Sequence, residues 1–367
     1  MAFFHMQSTK ILYILNYGDM PMEDFNKKTK IFKIENLEKD KAMIEEAANI
    51  IKSGGTVVFP TETVYGLGGN ALDEEGARKI YKAKGRPSDN PLIVHISDPH
   101  ELYKVAAFVS ENSKKLMDAF WPGPLTIIFK KTKEVPYATT GNLETVAVRM
   151  PSNEIARKLI EMSGVPIAAP SANISGRPSI TSAEYIEDEF TKRVDAIIIH
   201  SDSEIGLEST VIDMTSEKPI ILRPGKIGKK DIEKVLGFEI EEDSSLKDKN
   251  TPPKSPGMKY THYSPNAEIV VVKGSETEIV NKIKREIELA KNGKIGVICL
   301  EKYLGYYDGL GISLGENHIE AAKNFFKILR KVDDIGLSKV YIHFLEGDSV
   351  ADAVMNRLIK AAGNHII

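Results

Sequence analysis

Hydrophobic positions along this chain recur at two alternating periods, and the alternation sketches the elements. In EKDKAMIEEAANIIKSGG, residues Ile44, Ala47, Ala48 and Ile51 share a helical stripe, and Gly54-Gly55 closes it. TVVFP then reads as a short buried strand. DEEGARKIYKAKG follows as a helix, PLIVHI as a strand, and DPHELYKVAAF as a helix with Pro99 in its first turn. The helix ENSKKLMDAF leads to the strand PLTIIF. TVAVRM and VPIAAP are strands around the helix NEIARKLIEMSG. TSAEYIEDEF opens with a capping-box pattern, Thr181 to Glu184. AIIIHS, STVIDM and PIILRP are strands, and KKDIEKVLG is a short helix. Helices mixed with short apolar strands predict an α/β unit from residue 35 to 238.

The pattern then breaks. EIEEDSSLKDKNTPPKSPGMKYTHYSP is charged, then rich in Pro, Ser and Gly, which is linker composition. Its aromatic end, MKYTHYSP, is costly for a plain tether. From Ala267, AEIVVVKG is a strand, and Ser275 with Glu278 forms a second capping-box pattern. Ile279, Ile283 and Ile287 mark the helix behind it. KIGVICL, AAKNFFKILRKVDD, KVYIHFL and SVADAVMNRLIKAAG continue the strand-helix alternation, which predicts a small parallel, Rossmann-like sheet. The division expected is therefore 1–34 as an N-terminal extension, 35–238, a linker or lid at 239–266, and 267–367. The opening MAFFHMQSTKILYILNYGD lacks a signal-peptide pattern and receives no function; Met20 and Met22 are candidate starts.

Composition narrows the class. The 367 residues carry 49 Lys+Arg against 52 Asp+Glu, a net charge of −3, which disfavours a globally basic nucleic-acid binder but permits a local basic cleft. A single cysteine excludes a disulfide framework and a Cys-rich zinc module, and suits a cytoplasmic location. Cys299, inside an apolar strand, reads as a buried structural thiol. No apolar run approaches a membrane span.

The chemistry is carried by strand ends and one loop. GxxxxGK[ST], HExxH, CxxC and GxSxG are absent. Gly66-Leu67-Gly68-Gly69-Asn70-Ala71 fits GxGxxA loosely, but Pro60 to Thr63 separate it from the strand, so the dinucleotide turn is not in place. In YKAKGRPSDNPLIVHI, Lys82, Lys84 and Arg86 crowd a loop stiffened by Gly85, Pro87 and Pro91. Such a loop suits a polyphosphate, or equally a solvated helix end. Thr61, Glu62, Thr63 and Tyr65 follow one strand, and Arg149 ends another. Ser171, Asn173, Ser175, Arg177 and Ser179 follow a third; Glu208, Ser209 and Thr210 open a fourth; Arg223 ends a fifth. Each alone reads as a turn or cap residue. Together they supply hydroxyls, amides and guanidiniums without a nucleophile or base, which suits positioning and charge stabilisation in phosphoryl or nucleotidyl transfer. His95 alone reads as a core histidine, and Trp121 as a packing residue in a Pro-Gly turn.

FPTETVYGLG, KGRPSDNPL, FWPGPLT, VAVRMP, APSANISGRPS, LESTVID and ILRPGKI, between Gly55 and Ile227, occur in an order and spacing that resembles the YrdC-like L-threonylcarbamoyladenylate synthases. SPGMKYTHYSP and the second α/β region resemble the longer, two-domain form. The resemblance implies a YrdC-like twisted α/β sheet with flanking helices around a basic cavity, plus the smaller Rossmann-like C-terminal domain. It implies the joining of L-threonine, bicarbonate and ATP, with Mg²⁺, into threonylcarbamoyl-AMP and pyrophosphate. A separate transferase then modifies tRNA, so contact with tRNA is expected to be indirect. The resemblance places Lys84, Arg86, Asn90, Thr145, Ser171, Ser179 and Arg223 on ATP, with Lys84 and Arg86 catalytic. It places Thr63, His95, Arg149, Ser209 and the Ala169 backbone around threonine, and His262 or Tyr263 of the linker over the nucleotide. No protein metal ligands are expected. The competing readings are an RNA- or nucleotide-binding module without turnover, and an ATP-using carbamoyltransferase acting on another amine. Similar domains of hydrogenase-maturation proteins sit beside Cys-rich modules that this chain lacks.

Overall fold

The computed structural model describes residues 27–243, 263–290 and 293–367. The expected helix over EKDKAMIEEAANIIK is α1 (Lys41–Lys52), which buries Ile44, Ala47, Ala48 and Ile51. Before it runs β1 (Lys30–Lys33). The first region continues as β2 (Val57–Phe59), β3 (Gly66–Asn70), α2 (Glu74–Lys84), β4 (Ile93–His95), α3 (Leu102–Val105), α4 (Glu111–Phe120), β5 (Leu125–Lys130), α5 (Tyr137–Thr140), β6 (Thr145–Arg149), α6 (Glu154–Ser163), β7 (Ile167–Ala168), α7 (Ile186–Phe190), β8 (Ala196–Ile199), β9 (Thr210–Asp213), β10 (Ile220–Arg223), α8 (Lys229–Leu236) and β11 (Glu241–Glu242).

These strands form one mixed sheet in the order β1-β8-β2-β3-β7-β4-β6-β5-β9-β10-β11. Lys30–Lys33, placed by the sequence in the N-terminal extension, pairs in parallel with β8 at the sheet edge. The glycine run read as a loose GxGxxA match is the strand β3, antiparallel to β2. A Cβ on Gly68 would stand 2.7 Å from both Ile167 Cγ2 and Phe59 Cε1, so neighbouring side chains fill the space that glycine leaves. TSAEYIEDEF also differs from expectation. A 3₁₀ turn (Ala183–Tyr185) precedes α7, and its N-cap Ser182 makes no side-chain bond. The Ala183 amide donates to Asp202 Oδ1 at 3.3 Å, a tertiary partner at the first residue of the turn.

The second region holds β12 (Glu268–Val272), α9 (Glu276–Leu289), β13 (Ile295–Cys299), β14 (Gly311–Ser313), α10 (His318–Asp334), β15 (Lys339–His343) and α11 (Ser349–Ala361). Its sheet runs β12-β15-β13-β14, parallel throughout, as the alternation predicted. The Ser275–Glu278 capping box forms. The short strand β14 was not legible, because its three residues are only half-buried and two glycines surround it. Cys299 is buried, and burial pushes its thiol up to about 12. Trp121, also buried, donates from Nε1 to the Leu125 carbonyl at 2.7 Å.

The two regions share a core. Val64 and Leu207 pack with Leu314, Phe325, Phe326 and Val354 in one buried cluster. Tyr263, the first described residue after the linker gap, belongs to the same cluster, its ring 5.1 Å from that of Phe326.

Candidate active site

Three groups of strand and helix ends meet around one cavity. The first lies where β4 and β6 finish. These strands are parallel with His95 opposite Arg149, so both side chains leave the sheet together. The turn after β2 supplies their neighbours. There the Thr61 hydroxyl accepts from the amides of Thr63 and Val64, both at 3.3 Å. The turn holds Thr63 Oγ1 where Arg149 Nη1 donates to it at 2.8 Å, while Arg149 Nε donates to the Gly123 carbonyl at 3.2 Å.

Arg149 Nη2 lies 2.6 Å from Glu62 Oε1. The contact is one of charge rather than alignment, since neither Nη2 nor the Glu62 oxygens make a hydrogen bond. The pair is nearly fully buried, so each charge is matched chiefly by the other. Burial works to raise the Glu62 pKa, but the Arg149 guanidinium outweighs it and holds the carboxyl below its usual range. His95 is 4% exposed, and burial, then the Arg149 charge, drive its pKa down to about 3. Its ring is neutral, with Nδ1 3.2 Å from the Ile93 carbonyl.

The second group sits at the end of α2. Gly85 takes the left-handed cap at φ 61, and the Arg86 amide returns to the Tyr81 carbonyl at 3.0 Å. Lys84 turns inward and is 1% exposed. Its ammonium donates to the carbonyls of Ser171 and Asn173 and, at 3.3 Å, to Asn173 Oδ1. The Ser171 hydroxyl also donates to that oxygen, at 2.6 Å. The strand-end loop is thus wound on one lysine. Burial, and then Arg86, push the Lys84 pKa well below its usual value, a deficit that a bound polyanion would reverse. Arg86 is braced by the carbonyls of Asn90, at 3.3 Å, and Pro91, at 3.2 Å.

The third group joins β9 and β10, which are antiparallel. Arg223 donates from Nε to the Ser209 carbonyl at 3.0 Å and from Nη2 to Ser209 Oγ at 3.1 Å. Thr126 Oγ1 lies 2.7 Å from the same hydroxyl. Burial lowers the Arg223 pKa to about 10. Glu208 accepts from Ser179 Oγ at 2.9 Å and engages the Tyr263 hydroxyl. Burial would raise the Glu208 pKa, but Arg357 and then Arg223 hold it below the usual range. Tyr263 is buried at φ 70.

The cavity between these groups encloses about 710 Å³ when its open mouth is included. Of the residues that the resemblance assigns to a ligand, Thr63, Lys84, Arg86, His95, Arg149, Ala169, Ser171, Ser209, Arg223 and Tyr263 line it, and Thr61, Tyr65, Asn173 and Ser175 of the strand-end set line it too. Ser179 and Asn90 do not. Ser179 stands behind Glu208, and Asn90 behind Arg86. Thr145 begins β6, about 13 Å of strand from Arg149 at its other end. His262 lies outside the described residues. Glu208, which the sequence marks only as a polar residue opening a strand and to which the resemblance assigns no ligand, also lines the cavity. Arg357 and Arg330, from the second region, had no signal at all.

Four cations therefore surround a cavity whose lining carboxylate, Glu208, is already engaged. Among the described residues no group of three His, Cys, Asp or Glu is placed to hold a metal ion, and no helix is long and apolar enough to cross a membrane.

Comparison with known proteins agrees with this architecture. The Sua5/YciO/YrdC family model, described as telomere recombination, matches residues 49–225, and the threonylcarbamoyl-AMP synthase C-terminal domain model matches 227–363. The threonylcarbamoyl-AMP synthase of Pyrococcus abyssi is 47% identical over 88% of this chain and 95% of that protein. That of Bacillus subtilis is 43% identical over 88% and 94%. The crystal structure of P. abyssi Sua5 complexed with L-threonine superposes with a TM-score of 0.85 at 44% identity, covering 92% of this chain and 98% of that one. With both family models matched in order and nearly the whole of each relative covered, the chain belongs to the threonylcarbamoyl-AMP synthases of the two-domain Sua5 form.

Proposed function

We propose that the cavity holds L-threonine between the ends of β4 and β6 and ATP along the Lys84–Arg86 loop. On this reading Arg149 forks onto the threonine carboxylate, with Thr63, His95, Ser209 and the Ala169 backbone around the rest. Lys84, Arg86, Ser171 and Arg223 take the nucleotide. Asn90 and Ser179 brace those residues from behind, and Tyr263 of the linker closes on the nucleotide side. Thr145 is given no contact. The lid would span 239–266, between a catalytic domain at 35–238 and a C-terminal domain at 267–367.

The chemistry follows from that placement. The threonine amine attacks bicarbonate, and water leaves to give the carbamate. A carbamate oxygen then attacks the α-phosphorus of ATP, breaking the bond to the β-phosphate bridge and releasing pyrophosphate. The product is the mixed anhydride threonylcarbamoyl-AMP. Catalysis rests on proximity and on preorganised charge, since Lys84 and Arg86 face the departing pyrophosphate without a nucleophile or base of their own. A neutral His95 suits a site that must not protonate the attacking amine. Glu208 is engaged by Ser179, Tyr263 and Arg357, so the cavity does not fit a resident metal. Mg²⁺ accompanies ATP's phosphates and enters as part of the substrate. The labile product passes in the cytoplasm to a separate enzyme that modifies tRNA.

The convergence of Lys84, Arg86, Arg149 and Arg223 on one cavity carries the reading. Its test is pyrophosphate release from ATP, with threonine and bicarbonate omitted in turn. Release should require both, vanish in Arg86→Ala, and in Arg149→Lys need about tenfold more threonine, since lysine cannot fork. Release without threonine would point to another acceptor amine or to hydrolysis. Tight ATP binding without release would favour a binding module.

A further inference from the structure

The largest fully buried side chain of the described residues is not in the catalytic region. It is Arg357 of α11, and it reaches across the domain boundary. Its Nε lies 3.2 Å from Glu208 Oε2, and its Nη1 donates to the Pro224 carbonyl. Glu208 begins the approach to β9, beside Ser209. Pro224 directly follows Arg223. One guanidinium thus holds both chain segments that carry the third group of the cavity.

Each oxygen of Glu208 has a task. One faces Arg357, the other accepts from Ser179 Oγ at 2.9 Å, and the Tyr263 hydroxyl also engages the carboxylate. Both Glu208 and Arg357 are nearly fully buried, so neither is exchanged for water at no cost. A second arginine repeats the arrangement. Arg330 of α10 donates to the carbonyls of Pro178 and, at 3.4 Å, Ser179. It also pairs at 2.8 Å with Glu189, whose other oxygen accepts the Ile174 amide. The loop wound on Lys84 is therefore also anchored from the C-terminal domain.

We propose that Arg357 is a positioning residue for the nucleotide half of the cavity: acting through Glu208 and Pro224, it sets Ser179, Arg223 and Tyr263, so that the C-terminal domain completes the ATP site. The proposal rests on the nucleotide assignment made above. Arg357 touches no substrate. Without it, a buried carboxylate would turn toward Arg223, pulling that guanidinium off Ser209 and releasing the tyrosine. Arg149, Thr63 and His95 of the threonine end make no contact with Arg357; Ser209, held by Arg223, is the one residue through which the two ends meet.

The test compares the full-length protein with Arg357→Met, Arg357→Lys and, as an interface control, Lys327→Ala. Lys327 pairs across the same boundary with Glu184 and Asp202 at 3.8 and 3.7 Å, and none of the three lines the cavity. Steady-state pyrophosphate release gives KM for each substrate, and calorimetry gives Kd for ATP and for threonine separately. Arg357→Met should raise the ATP KM and Kd about tenfold, while threonine affinity, reached only through Ser209, falls by clearly less. Arg357→Lys, which keeps the charge, should recover part of the loss, and Lys327→Ala should match the parent. A loss of melting temperature with both affinities unchanged, or equal weakening of both substrates, would overturn the proposal. If the Met variant does not fold, Arg357→Lys decides on the same two affinities. If the parent releases pyrophosphate without threonine, the functional reading falls, yet the ATP Kd still judges Arg357.

Discussion

His95 occupies the end of β4, buried beside a guanidinium, and its charge state has a consequence for stability. The folded ring resists protonation down to about 3, while in the unfolded chain it titrates near the ordinary 6.5. Its contribution is therefore fully present above pH 6.5 and is lost as pH falls from there toward 3, because only the unfolded state takes the proton. Between pH 7 and 5 the parent should lose ~2 kcal/mol more than His95→Asn in urea unfolding. Parallel pH profiles for the two proteins would contradict a neutral buried ring. The residue types at this site were legible: Lys84, Arg86, Arg149 and Arg223 were read from strand ends and one loop, and all four line the cavity. The role of Glu62 is not legible in the sequence, since only the folded chain sets its carboxylate against Arg149 Nη2.

Elements succeed here where local and tertiary demands coincide. α1 and α9 follow their stripes and caps, because the residues that favour the helix also face the core. They fail to be legible where a distant contact decides. The glycines of β3 form a strand because Phe59 and Ile167 occupy the side-chain space, and the helix expected from Thr181 instead begins as a 3₁₀ turn after Ser182, with Asp202 taking the Ala183 amide. Gly206 is the sharpest case. It sits at φ +76, and a Cβ there would lie 2.4 Å from both the Ala322 carbonyl and Lys323 Cα of α10. Gly206→Ala is expected to cost at least ~2 kcal/mol, from strain and from prying α10 off the catalytic region. Chemical denaturation of the variant checks it, and a neutral substitution would mean that the helix has room to retreat.

At the scale of the molecule, the two regions are joined by a common apolar cluster and by two buried arginines. Neither region could separate without exposing Leu207 and Phe326 and leaving Glu208 and Glu189 unpaired. The described regions should therefore melt as one unit: a single calorimetric transition whose van't Hoff and calorimetric enthalpies agree. Two resolved transitions would show the domains to be energetically independent. The sequence alone determined the α/β class, the parallel second sheet, the motif order and the cationic residues of the site. Each of these is written in local periodicity or in a contiguous string of residues. Tertiary structure alone decided which polar residues meet, and that Glu208 joins the lining. It alone brought Arg357 onto Glu208 across 149 residues of chain. A buried ion pair at that separation leaves no periodic mark in either segment, because each partner is chosen by the other and not by its neighbours.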